Sequence, residues 1–267
     1  ITSNPYYVNG ELANGRYNGC MFVDGYPRQG YVTVNGATYY YDSNGNLQKN
    51  GIVGTKKDGL CYADATGKVD FCFTGVAKNS EGYWYAIKGK VDLTYRNGIT
   101  YGGADWNGED GKATKVTTTK QRTLFRAFKL VNQVTKPSMT KEQKLRACFD
   151  HMVNNYTEKN PRIPHYTGMD WPEVYANDVF VNKVGNCMSF GAAFAYMAKA
   201  LGYTNIYCCH SGGHGWTEIN GLVYDTEWQR SHKTYSYFGL SYNSNTDVNY
   251  ASVQARLSSG AWMHVRI

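Results

Sequence analysis

Up to about Gly111 the chain repeats one pattern: aromatic residues lead into a glycine turn, a polar stretch follows, and a second glycine closes the unit. Tyr39-Tyr40-Tyr41-Asp42-Ser43-Asn44-Gly45 runs on to Asn50-Gly51, Cys61-Tyr62-Ala63-Asp64-Ala65-Thr66-Gly67 to Thr74-Gly75, and Tyr83-Trp84-Tyr85-Ala86-Ile87-Lys88-Gly89 to Asn97-Gly98. The leading glycines at 45, 67 and 89 are 22 residues apart. A degenerate copy precedes them around Val23-Asp24-Gly25 and Gly30-Tyr31. A fixed period of this length predicts a repeat array, each unit a β-hairpin about a Gly turn. One hairpin cannot bury its own face, so neighbours must stack. If Thr66-Gly67 is a two-residue turn, Ala65 faces Lys68 and Cys61 faces Cys72, close enough for a disulfide; two buried thiols are the alternative.

Beyond a polar stretch at 108–121 the period changes. Residues 122–133 read as a helix, Pro137 ends it, and Thr140 with Gln143 forms a capping box for another. Leu145, Cys148, Phe149, Met152, Val153 and Tyr156 then fall at helical spacing, which places Cys148 in the core. Gly185-Asn186-Cys187 opens a third, small-residue helix that Gly202 ends. A strand over 205–209, a Gly loop, a strand from His214 to Ile219, an Asn220-Gly221 turn and a return strand to Thr226 follow. The predicted fold is α+β: an all-β hairpin array at 1–110, a linker at 111–121 and an α+β domain at 122–267.

Composition sharpens this division. Residues 1–110 hold 18 of the 29 glycines and 10 Lys+Arg against 11 Asp+Glu, whereas 111–267 carry 18 against 10. No run of basic residues or nucleic-acid motif accompanies that excess, so no nucleic-acid partner is expected. No apolar stretch approaches the roughly 18 residues of a membrane span. Seven cysteines leave at least one free or paired with another molecule. The opening Ile1-Thr2-Ser3 carries no leader pattern and fits a mature or trimmed form.

Cys187 sits at a helix start, where backbone N–H groups and the helix dipole favour an anion. With Asn220 and Gly221 as the turn, Ile219 faces Leu222 and Trp216 faces Asp225. Alternation puts His214 on the same face, diagonal to Asp225. A carboxylate that orients an imidazole beside a cysteine is the arrangement of a thiol nucleophile. The rival chemistry is a metal held by Cys208, Cys209, His210 and His214, but adjacent Cys208 and Cys209 point to opposite strand faces. No metal site and no cofactor are therefore expected.

The array resembles the cell-wall-binding repeats of Gram-positive surface proteins, the choline- and glucan-binding type, over roughly 20–110. It does so through Gly30-Tyr31-Val32-Thr33-Val34-Asn35-Gly36 followed by Thr38-Tyr39-Tyr40-Tyr41-Asp42-Ser43-Asn44-Gly45. That family commonly builds choline cages with Trp, and here only Trp84 and Trp106 occur. The resemblance implies a wall glycan or teichoic acid as partner, or aromatics that only hold the array together. Residues 120–235 resemble the transglutaminase-like superfamily of thiol enzymes with a papain-type core. The matching residues are Gly185-Asn186-Cys187, His214-Gly215-Trp216 and Tyr224-Asp225-Thr226-Glu227-Trp228, together with the helix at 140–156. The resemblance implies Cys187 as nucleophile, His214 as general base and acid, and Asp225 as the orienting residue. Trp171 and Tyr175 are candidates for a second oxyanion donor beside the Cys187 N–H. It further implies a secreted or cell-surface protein acting on a peptide or isopeptide amide as a protease or amidase. A cross-linking transglutaminase and a non-catalytic wall-binding protein are the alternatives.

Overall fold

The computed structural model describes residues 4–161 and 165–267. The chain divides into two compact units, and it passes between them over residues 96–115. No helix among the described residues is long and apolar enough to cross a membrane.

The first unit is a series of antiparallel hairpins. Gly30–Val34 pairs with Ala37–Tyr41, Gly51–Thr55 with Gly59–Ala63, and Gly75–Asn79 with Gly82–Ile87. The Asn35-Gly36 turn has positive φ at both residues (50° and 75°), the type I′ conformation that suits the strand twist. The 22-residue repeat has a second device. Asp42 Oδ1 accepts from the N–H groups of Asn44 and Asn46, and Asp64 Oδ1 accepts from those of Thr66 and Lys68. These loops are therefore built on an aspartate cap and not on a two-residue turn. The difference overturns the expected pairing of Cys61 with Cys72. Ala63 bridges Val69, which shifts the register by one; Cys61 is a buried free thiol and Cys72 an exposed one. The small cores are aromatic and aliphatic: Tyr40, Val53 and Ala63 in one, Ile52, Leu60, Trp84 and Ala86 in the other.

The stretch expected to be a linker carries the strand Lys112–Lys115 and a capping box, Thr118 with Gln121, that starts helix α1 at Thr119. The second unit then runs α1 (Thr119–Val134), α2 (Lys141–Asn154), α3 (Trp171–Asn182) and α4 (Cys187–Ala200) before its sheet. The sheet order is Phe238–Leu240, Leu222–Tyr224, Gly215–Ile219, Ile206–His210 and His264–Arg266, all antiparallel. Helix α4 is apolar all round and packs against α1, α2, α3 and the two central strands. Such a helix belongs at the centre of the core. Its small residues have a specific use: the Gly191 Cα hydrogens face the Trp216 backbone, to which an added Cβ would approach within 3.1 Å, and the Gly191 carbonyl accepts from Thr217 Oγ1 at 2.6 Å.

Candidate active site

Helix α4 begins where Asn186, in an extended conformation, accepts from the N–H and the hydroxyl of Ser189 (3.1 and 3.2 Å). That cap fixes Cys187 as the first helical residue, partly exposed, with a backbone N–H that has no acceptor within the helix. Gly215 follows His214 in the neighbouring strand, and a Cβ there would lie 3.0 Å from Met188 Cα. The bare backbone lets the strand bring its first residues against the start of α4.

The Asn220-Gly221 turn sets the hairpin register as counted: Ile219 opposes Leu222, and Thr217 opposes Tyr224. One residue beyond Tyr224 the chain turns into α5 (Thr226–Ser231), and Asp225 is its N-cap, with Oδ1 accepting from Trp228 N at 2.8 Å. The other oxygen, Oδ2, accepts from His214 Nε2 at 2.6 Å and from the Tyr250 hydroxyl at 2.6 Å. Asp225 is fully buried, and every one of these contacts donates to it. With Nε2 engaged, Nδ1 is the ring nitrogen left for other partners, and Cys187 is near enough to act on the imidazole electrostatically. Burial alone would pull the His214 pKa down; the Asp225 charge, the hydrogen bond to it and the Cys187 thiol outweigh that and push it up to about 11. Trp216 (6.2 Å, near-parallel) and Trp228 (5.3 Å, edge-on) flank the ring.

Two residues at this site were not assigned to it from the sequence. Tyr250 lies in a Tyr-, Ser- and Asn-rich stretch with no apolar period, yet it is fully buried. Burial and the Asp225 charge raise its hydroxyl above the ordinary range, so it stays a donor. Glu227 places Oε2 3.7 Å from His214 Nδ1, and burial raises its pKa against the pull of the imidazolium. Its position two residues after Asp225, in the first turn of α5, was the available signal.

Trp171 is not an open donor: it is buried, and its indole N–H donates to the Trp262 carbonyl (2.6 Å). Tyr175 is buried beside it, and its hydroxyl accepts from Tyr166 N (3.1 Å). They belong to the packed face of α3. Cys148 is wholly buried, and burial pushes its thiol up to about 12, as befits a core residue. Cys208 and Cys209 face opposite sides of the sheet: Cys208 opposes Thr217, which bonds to α4, and Cys209 opposes Trp216. The set of Cys208, Cys209, His210 and His214 does not converge on one point.

A family model described as the transglutaminase-like superfamily matches residues 129–267, just over half of the chain. The chain belongs to the transglutaminase-like superfamily. No curated protein sequence matches it. Similar solved structures include CbpJ from Streptococcus pneumoniae (18% identity, TM-score 0.22, 42% of this chain and 38% of that one). Choline binding protein F of the same organism is another (20%, 0.22, 42% and 34%), as is a truncated alternansucrase from Leuconostoc mesenteroides (20%, 0.26, 42% and 10%). The chain spans well under half the length of each of these three.

Proposed function

We propose that the second unit is a thiol enzyme that attacks peptide or isopeptide amides, with Cys187 as nucleophile, His214 as general acid and base, and Asp225 as the orienting carboxylate. The 2.6 Å contact of His214 Nε2 with a buried Asp225, together with a cysteine as the first residue of helix α4, carries this reading. The Cys187 sulfur adds to the amide carbonyl, and its N–H stabilises the oxyanion. His214 protonates the leaving amine, so the C–N bond breaks and a thioester remains; water activated by His214 then releases the acid. Hydrolysis is the leading outcome. Glu227 beside the imidazole favours a second one, capture of the thioester by a cationic amine, which would make cross-links. The aromatic hairpins of the first unit would tether the enzyme to a wall glycan or teichoic acid at a Gram-positive cell surface. In them the Trp84 ring is buried beneath its own Lys112 (4.7 Å), which fits a scaffold role for that Trp better than a choline cage.

The test is labelling of Cys187 by a small electrophile as a function of pH, read by intact mass. Fast labelling below pH 7 that slows at least about tenfold in His214→Ala is expected for an imidazolium-held thiolate. A free-thiol profile that His214→Ala leaves unchanged would return the domain to the non-catalytic reading. A labelled primary amine offered together with a peptide amide then separates cross-linking from hydrolysis.

A further inference from the structure

A second cluster of reactive side chains lies on the sheet face turned away from α4. Cys209 is at the centre of the Ile206–His210 strand. His264 opposes it on the strand at one side, and Glu218, opposite Tyr207, lies diagonal to it on the other. One ligand atom from each of Cys209, Glu218 and His264 lies within 4.8 Å of the other two. We infer that Cys209, Glu218 and His264 form a zinc-binding site, separate from the Cys187 centre.

The geometry suits that ion. In a tetrahedral zinc site with bonds of about 2.0–2.3 Å, ligand atoms stand roughly 3.3–3.8 Å apart. Glu218 Oε2 and His264 Nε2 are already 3.4 Å apart, and that nitrogen is buried without a hydrogen-bond partner. With all three ligand atoms within 4.8 Å of one another, a shift of the thiol by at most about 1 Å completes the triangle. A thiolate, an imidazole and a carboxylate together match zinc and exclude magnesium or calcium, which take oxygen donors. The surroundings hold the donors in place. Tyr242 donates to Glu218 Oε2 (2.6 Å), the Trp216 indole donates to Tyr242 (3.1 Å), and His264 stacks on Tyr207 at 4.0 Å. Such outer contacts orient metal ligands. Three protein donors leave a fourth position for water, and the His264 side chain, about one-third exposed, offers the way in. On binding, the Cys209 S–H bond breaks, its proton and any on the imidazole pass to solvent, and sulfur, nitrogen and oxygen each bond zinc. The ion would tie the His264–Arg266 strand to the sheet centre.

The experiment titrates the full chain, freed of metal, with Zn²⁺ against a chromophoric chelator of micromolar affinity. One equivalent is expected to bind, and Co²⁺ in its place to show a sulfur-to-metal charge-transfer band. His264→Gln and Cys209→Ala should each weaken binding by at least about tenfold. Cys187→Ala and Glu227→Gln should leave it unchanged, which separates this site from the His214, Asp225 and Glu227 group. If Cys209→Ala does not fold, His264→Gln decides the matter, because that side chain is partly at the surface. Failure of zinc to compete with the chelator overturns the inference. So does binding that survives His264→Gln but is lost in Glu227→Gln.

Discussion

At the residue scale the site depends on how many donors converge on one buried carboxylate. Asp225 accepts from Trp228 N, His214 Nε2 and the Tyr250 hydroxyl, so its charge is shared three ways. Tyr250→Phe removes one donor and should cost about 1–2 kcal/mol of stability, the usual net value of such a bond. The same change leaves more of the carboxylate charge for the imidazole. The His214 pKa, followed by NMR, should therefore rise while Cys187 labelling slows because the ring is held less firmly. A fall in stability with no movement of His214 would mark Tyr250 as packing only. The imidazole itself makes a pH-dependent contribution. Its folded value lies above the ordinary 6.5, so the unfolded chain loses the proton first. The stabilisation is complete below about pH 6.5 and declines as pH rises through about 11. Denaturation midpoints of wild type and His214→Gln should therefore converge between pH 6 and 10; a constant gap would argue against an imidazolium–carboxylate pair.

At the element scale the hairpin was readable and the loops around it were not. Asn220-Gly221 admits one register, and counting from it places His214 near Asp225 without further information. The aspartate-capped loops of the repeats misled the same kind of count, because a side-chain cap at Asp64 accommodates residues that a two-residue turn excludes. Trp171 was a candidate donor through the family resemblance alone; only packing reveals that its N–H is taken. Tyr250 is reached through tertiary contact alone, 25 residues after Asp225. The junction of α4 with the His214 strand offers a sharper check. Gly215→Ala would place a methyl carbon 3.0 Å from Met188 Cα and 3.1 Å from its nitrogen, both backbone atoms that cannot rotate aside. Overpacking of this kind costs roughly 1–3 kcal/mol. Because the displaced backbone adjoins Cys187, the loss of labelling should exceed what an equally destabilising change elsewhere in the core produces. Leu145→Ala, buried on α2, is the matched control.

At the scale of the whole molecule the division into two units follows the division of composition. The glycine- and tyrosine-rich part folds from local hairpins, with small aromatic clusters as its cores. The later part gathers four helices and a sheet around α4, and all of Cys187, His214, Asp225, Tyr250 and Glu227 lie within it. Among the described residues, the side-chain hydrogen bonds of His214, Asp225, Tyr250 and Glu227 are made within that unit. A chain beginning at Arg96, the first residue of the second unit, should therefore label at Cys187 with rate and pH profile within about twofold of the full chain. The strands shared over residues 96–115 make this a demanding cut, since the fragment retains parts of hairpins whose partners are gone. Circular dichroism and a cooperative melt of the fragment establish whether it folds. If it folds and the labelling rate holds, the array is not needed for the reactivity of Cys187, and a ligand for it can be sought with residues 1–115 alone. If it folds but labelling falls tenfold or more, the array contributes to the chemistry. The sequence at 1–110 would then have to be read as part of the enzyme, with its exposed aromatic residues as the first positions to substitute.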